Sequence, residues 1–175
     1  MLGERRKGDG MRLILVRHGI AIDQDAATCP TDAERWLTDV GKEKVRRAAV
    51  GLVRLEVRPG AWFSSPYVRA LETAELFARA LEFPTERIRR TDGLLPGADP
   101  AAFFAELAAV DADEALAFGH APNLDLLVAW ALGSRRPVTE LGKAGAACLE
   151  LSPDLRRPHG VLRWLCPPAF LRRRS

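Results

Sequence analysis

Short apolar runs alternate along this chain with longer, periodically apolar stretches. The run MRLILV at 11–16 has the length of a buried strand. Similar runs of strand length lie at 61–63, 115–118, 146–151 and 161–165. At 38–55, apolar residues recur every three or four positions while Lys and Arg occupy the other positions, which predicts an amphipathic helix.

Three further helices are predicted from the residues that would begin them. Ser65 suits an N-cap and Pro66 the first helical position, which predicts a helix from 66 to about 81. Asp99-Pro100 and Pro122 likewise predict helices at 101–110 and 122–132. Strands that alternate with helices indicate an α/β fold, a three-layer sandwich in which helices flank a mostly parallel central sheet.

The chain length of 175 residues fits one domain, which we assign to residues 11–168. Residues 1–10, MLGERRKGDG, are polar and lack the apolar stretch of a secretory signal, so we predict a disordered N-terminal extension. Residues 169–175 are predicted to form a basic C-terminal tail.

Composition excludes several classes of function. No apolar run approaches the ~20 residues of a membrane helix, so we expect no membrane partner. A net charge of +3 is too mild to indicate nucleic-acid binding. Cys29, Cys148 and Cys166 are widely spaced and odd in number, which favours a reducing, cytoplasmic setting. The three histidines do not cluster as metal ligands and no glycine-rich nucleotide loop is present, so we expect no metal and no cofactor.

Residues with useful chemistry follow the carboxyl ends of predicted strands. Arg17 and His18 follow the first strand, Arg69 lies one turn into the helix after the second, and His120 follows the strand at 115–118. Because ligand sites in α/β sheets form beyond the carboxyl ends of the strands, we expect these side chains to meet.

This set of residue types suits phosphoryl transfer. An unprotonated imidazole can attack phosphorus, and neighbouring arginines disfavour the protonated ring. The carbonyl of Gly19 is a candidate acceptor for the other ring nitrogen. Guanidinium groups match pairs of phosphoryl oxygens. On residue types and spacing alone, other interpretations stay open: a structural histidine, a surface arginine, and a simple turn at 119–122.

Ordered motifs add a family resemblance. LVRHG at 15–19 resembles the RHG signature of the histidine phosphatase superfamily, which has the phosphoglycerate-mutase-like fold. The later segments resemble that family's motifs in the same order: RWLTDVG at 35–41 (RPLTxxG), SSPYVRALETAELF at 64–77 (SPxxRAxQTA, with Glu72 for the usual glutamine), FGHAPNL at 118–124 (GHxP), and GKAGAACLEL at 142–151 (a late strand). The resemblance spans residues 11 to about 165.

Because the chain is short and lacks a long insertion, it is most similar within this family to the SixA-type phosphohistidine phosphatases. The resemblance implies a metal-independent phosphatase in which His18 carries the phosphoryl group covalently. It also implies that Arg17, Arg69 and His120 line the phosphate pocket, with Arg35 as a further phosphate-binding candidate. The implied substrate is a phosphohistidine-bearing protein or a small phosphorylated molecule.

One departure from the family bears on the substrate. Gly93, in TDGLLPGADP, stands where many members carry an acidic proton donor, and Asp92 and Asp99 are nearby in a different register. An alkoxide leaving group needs that proton more than an imidazole does, so the missing acid agrees with a phosphohistidine substrate. Two alternatives stay open: a phosphatase of small phosphomonoesters, with Asp92 as the candidate acid, and a non-catalytic module that binds phosphorylated ligands.

Overall fold

A computed structural model describes residues 10–25, 27–29, 31–155 and 159–172, and over these residues a six-stranded sheet forms the centre of the molecule. In chain order the strands are β1 (Met11–Arg17), β2 (Ala61–Ser64), β3 (Arg89–Arg90), β4 (Glu114–Gly119), β5 (Ala146–Leu151) and β6 (Gly160–Cys166). Their spatial order is β3-β2-β4-β1-β5-β6. The half formed by β3, β2, β4 and β1 is parallel, whereas β5 runs antiparallel to both β1 and β6.

Helices cover both faces of this sheet, which confirms the predicted α/β sandwich. Their bounds are α1 (Asp39–Arg54), α2 (Val68–Ala80), α3 (Pro100–Ala108), α4 (Asn123–Ala131) and α5 (Pro168–Leu171). On β1, Leu13 and Leu15 face the core shared with α3 and α4, whereas Ile14 and Val16 face the core shared with α1, α2 and α5. The run MRLILV is therefore apolar throughout because both faces of its strand are buried.

The structure corrects two of the predicted element bounds. Helix α2 begins at Val68 and not at Pro66, because the backbone of Tyr67, its N-cap residue, is extended (φ −64°, ψ 135°). No strand was predicted at 89–90, where β3 lies. Its two arginines are exposed at the sheet edge, so no apolar run marked the strand.

The predicted C-terminal tail also needs correction. Residues 169–171 belong to α5, which packs on α1, and Leu171 is only 4% exposed. The domain therefore extends at least to residue 171. Residues 1–9 of the predicted extension, and residues 173–175 of the predicted tail, lie outside the described residues. Within the described ranges, no helix combines the length and the apolar character that crossing a membrane requires.

Candidate active site

His18 stands at the centre of the candidate site, where β1 ends. Its backbone N–H donates to Gly119 O (3.0 Å), and the residue is 7% exposed. The ring Nδ1 lies 2.7 Å from Gly19 O, as the sequence predicted. Because a carbonyl oxygen can only accept, Nδ1 carries the proton and Nε2 keeps its lone pair. The nitrogen available for attack is therefore Nε2.

The surroundings of His18 keep the ring neutral. Burial is the main cause, and together with the nearby charges of Arg69, Arg17 and Lys143 it lowers the pKa of His18 to about 3. The hydrogen bond to Gly19 opposes this shift without cancelling it. At neutral pH the imidazole is thus unprotonated, as a nucleophile must be.

Arg69 contacts Nε2 of His18 directly. It lies in the first turn of α2, is 4% exposed, and its Nε donates to His18 Nε2 (3.3 Å). Thr73 fastens this helix to β1, because its Oγ1 accepts from Gly19 N (3.1 Å) and donates to Arg69 O (2.7 Å). Thr73, which was not singled out from the sequence, therefore links the backbone of the loop after His18 to the helix that carries Arg69.

His120 approaches from the end of β4 and is 2% exposed. Its ring centroid lies 5.0 Å from that of His18, and its Nε2 lies 2.9 Å from Ser65 Oγ. Burial first, and then the neighbouring ring of His18 and the charge of Arg69, lower the pKa of His120 to about 3. Its Nδ1 is buried and has no hydrogen-bond partner among the described residues. His120 can therefore offer a neutral imidazole to a ligand beside His18.

Arg17 is held by the loop that leads into β5. Its Nη1 donates to Leu141 O (2.7 Å), and Asp125 of α4 in turn accepts from Leu141 N (2.9 Å). The Nε of Arg17 is buried without a partner in the described part of the chain. Its positive charge contributes to the lowered pKa of both His18 and His120, so its field reaches the site.

Arg35 reaches the site only through another residue. Its Nε donates to Ile22 O (2.8 Å), and its Nη1 pairs with Asp32 Oδ1 (2.9 Å). Asp32 also binds Arg69, through an ion pair of 3.1 Å. Asp32 was not predicted from the sequence, although its spacing of three residues from Arg35 was a signal. Lys143, whose charge acts on His18, was not predicted either. The next residue, Ala144, donates its backbone N–H to Arg17 O and His18 O (3.0 and 3.2 Å).

The segment where many family members carry an acid is tightly packed. A Cβ on Gly93 would lie 3.0 Å from Phe103 Cα in α3, so a side chain there would require this contact to open by a few tenths of an ångström. Asp92 is exposed, and Asp99 caps α3 by accepting from Ala101 N (3.0 Å). Across the residues that the structure describes, no group of three or more potential metal ligands occurs.

Comparisons with known proteins agree with the motifs. Residues 13–94 match the family model of the histidine phosphatase superfamily, branch 1. An uncharacterized protein of Picosynechococcus sp. is 36% identical over 140 residues, which cover 77% of this chain and 82% of that protein. The structure of the protein histidine phosphatase SixA complexed with tungstate is similar with a TM-score of 0.79 and 26% identity, covering 91% of this chain and 98% of that one.

A mycobacterial glucosyl-3-phosphoglycerate phosphatase shares the fold, with a TM-score of 0.69 and 16% identity over 90% of this chain and 99% of its own. The fold thus occurs in phosphatases of different substrates.

Proposed function

The chain belongs to the histidine phosphatase superfamily, branch 1, and on that premise we propose that it is a phosphohistidine phosphatase that forms a covalent intermediate on His18. One observation carries the proposal: a buried, neutral His18 presents Nε2 to Arg69 while Nδ1 is bound to Gly19 O. A ring held in this tautomer beside a guanidinium is suited to accept a phosphoryl group.

In the first proposed step, Nε2 of His18 attacks phosphorus and the P–N bond of the substrate breaks. The electron pair of that bond returns to the substrate's ring nitrogen, which leaves as neutral imidazole when its other nitrogen carries a proton. Nδ1 of His18 keeps its proton through the hydrogen bond to Gly19 O (2.7 Å), so the phosphorylated ring is cationic.

In the second step, a water oxygen attacks phosphorus and the P–Nε2 bond breaks. Its electron pair returns to Nε2, so His18 leaves as a neutral imidazole without needing a proton, and the protons of the water pass to phosphate and solvent. Arg69 and His120 are proposed to bind the phosphoryl oxygens, with Arg17 and Arg35 adding positive charge. Because the arginines supply the charge stabilisation, the proposed reaction uses no metal.

The proposed substrate class rests on the leaving group. Gly93, where many family members carry an acid, has no side chain, and a Cβ there would lie 3.0 Å from Phe103 Cα. An alkoxide leaving group would need that proton donor, whereas an imidazole can leave without one. The likeness to SixA, a protein histidine phosphatase, supports the same choice. We further propose that the substrate is a phosphohistidine-bearing protein of the cytoplasm, a setting that suits the free thiols of Cys29, Cys148 and Cys166.

A phosphatase of small phosphomonoesters is the second candidate. The shared fold of the glucosyl-3-phosphoglycerate phosphatase favours it, and the exposed Asp92 would then be the candidate proton donor. A module that binds phosphorylated ligands without turnover would keep the same pocket, but it would not require a neutral Nε2 facing the ligand.

The test compares a phosphohistidine-bearing protein with p-nitrophenyl phosphate, using the parent, His18→Ala and the control His159→Ala. We expect the parent and the control to release phosphate from the phosphohistidine protein, and His18→Ala to release none. Rapid mass spectrometry at neutral pH should find a phosphoryl group on His18 during turnover.

Turnover of the ester alone would favour the second candidate, and an unchanged rate in Asp92→Asn would then exclude Asp92 as its acid. Turnover with no phosphorylated His18 would refute the covalent route. Binding of the phosphoprotein without release of phosphate would favour the binding module.

A further inference from the structure

Asp32 joins the two arginines on the loop side of the site. Its Oδ2 pairs with Arg69 Nη2 (3.1 Å) and its Oδ1 with Arg35 Nη1 (2.9 Å). Its backbone carbonyl also accepts from Arg69 Nη1 (2.5 Å). One residue therefore occupies both terminal nitrogens of the arginine that faces His18.

The turn that carries Asp32 is itself anchored. Thr31 Oγ1 donates to Glu34 Oε2 (2.6 Å), and Glu34 N donates to Thr31 O (3.2 Å). Arg35 Nε donates to Ile22 O (2.8 Å), which ties the end of the turn to the preceding loop. These bonds give the carboxylate a defined direction before any ligand binds.

The contacts between Asp32 and Arg69 fix the orientation of the whole guanidinium group. The group is planar and rigid, so holding Nη1 and Nη2 also sets the direction of Nε. In Arg69 that nitrogen points at His18 Nε2 (3.3 Å), the atom proposed to attack phosphorus. The ring of Tyr67, with its centroid 5.0 Å from Arg69 Cζ, supports the guanidinium but does not select its rotation in the plane. The contacts with Asp32 select that rotation.

Asp32 also carries charge into the pocket. Partial burial raises the pKa of its carboxyl, but hydrogen bonds and charge from Arg35 and Arg69 outweigh burial and lower it overall. The carboxylate is thus ionised at neutral pH. A phosphoryl group must therefore bind to arginines that already share a negatively charged partner. The side chain of Asp32 is 33% exposed, so water screens its charge only in part.

We propose that Asp32 is a positioning residue of the site, with effects of opposite sign on catalysis and on binding. Its carboxylate aims Arg69 at the reaction centre, which raises the rate, and it competes with the phosphoryl oxygens for Arg69 and Arg35, which weakens their binding. The inference rests on the proposed function, because it requires an oxyanion to bind beside His18.

The test measures affinity and rate separately in Asp32→Asn, Asp32→Glu and the control Asp39→Asn, which makes the same charge change at the nearby start of α1. Calorimetry with inorganic phosphate reports binding without turnover. In Asp32→Asn we expect the Kd for phosphate to fall about fivefold, as loss of one nearby like charge implies. We expect kcat with the phosphohistidine protein to fall about tenfold, because Arg69 Nη2 loses its charged acceptor and the guanidinium is held less firmly.

The controls separate this role from a structural one. Asp39→Asn should keep the parent's Kd and kcat, and Asp32→Glu, which keeps the charge, should keep the parent's Kd. A merely structural role would weaken phosphate binding and lower Tm together in Asp32→Asn, and that result would overturn the proposal.

A parent protein that binds phosphate, together with an Asp32→Asn variant whose Kd and kcat are both unchanged, would overturn the Asp32 proposal alone. A parent that binds no phosphate would refute the proposed site and this inference with it.

Discussion

The buried imidazoles of His18 and His120 should make the stability of this protein depend steeply on pH. In the folded state the pKa of each ring is lowered from its ordinary value of 6.5 to about 3, mainly because the rings are buried. An unfolded chain exposes both rings and binds their protons near pH 6.5. Between pH 6.5 and about 3 the unfolded state thus holds more protons, so the free energy of unfolding decreases as the pH falls.

The size of this effect follows from the two pKa values of each ring. Lowering the pH from 7 to 5 stabilises the unfolded state by about 2 kcal/mol for each histidine that stays neutral in the folded state. Removing His18 by a His18→Gln substitution should therefore reduce the loss of stability between pH 7 and pH 5 by about 2 kcal/mol. Contributions from carboxyl groups and from His120 are shared by parent and variant and largely cancel in the comparison.

Urea unfolding of the parent, His18→Gln and the control His159→Gln at pH 7 and pH 5 measures this difference. The free energy of unfolding comes from linear extrapolation at each pH. A pH dependence of His18→Gln that matches the parent within about 0.5 kcal/mol would show that the ring titrates alike in both states, and would refute a nucleophile kept neutral by burial. An equal effect in His159→Gln would attribute the change to histidine content and not to burial in the site.

Three further substitutions test the site. Arg69→Lys should lower kcat/KM for the phosphorylated substrate about 100-fold, because an ammonium cannot replace the planar fork, and a loss below threefold in steady-state assays would contradict this. Asp125→Ala should lower the free energy of urea unfolding by about 2 kcal/mol, because Leu141 N loses its buried acceptor, and an unchanged midpoint would contradict it. Gly93→Ala should cost about 1–3 kcal/mol in the same assay, because its Cβ meets Phe103, and a fully stable variant would show that α3 moves freely.

Local patterns in the sequence account for most of the elements. The run at 11–16 predicted β1, the apolar spacing at 38–55 predicted α1, and Asp99-Pro100 predicted the start of α3, where Asp99 does cap the helix (3.0 Å to Ala101 N). These signals work because strand burial, helical periodicity and capping depend on residues that are near one another in the chain. The same local signals placed His18 and His120 at strand ends, and the order of the motifs indicated their family.

Contacts between distant segments decided the rest. The antiparallel direction of β5 depends on how the chain returns to the sheet, which no local pattern encodes. The chain after β2 stays bound to β4 through the hydrogen bond from Ser65 N to Phe118 O, and α2 begins only at Val68. Helix α5 packs on α1, where Leu171 is buried.

The chemistry of the site depends on tertiary structure in the same way. The sequence by itself determined which residue types are available for phosphoryl chemistry, namely the imidazoles and arginines that follow apolar strands. Only the fold decided that Asp32 would hold Arg69, 37 residues away, and that Leu141 would hold Arg17 across 124 residues. The fold also decided that both imidazoles would be buried deeply enough to stay neutral. The physical reason is that hydrogen bonds, desolvation and electrostatic interactions depend on distances in space, which residue spacing along the chain does not specify.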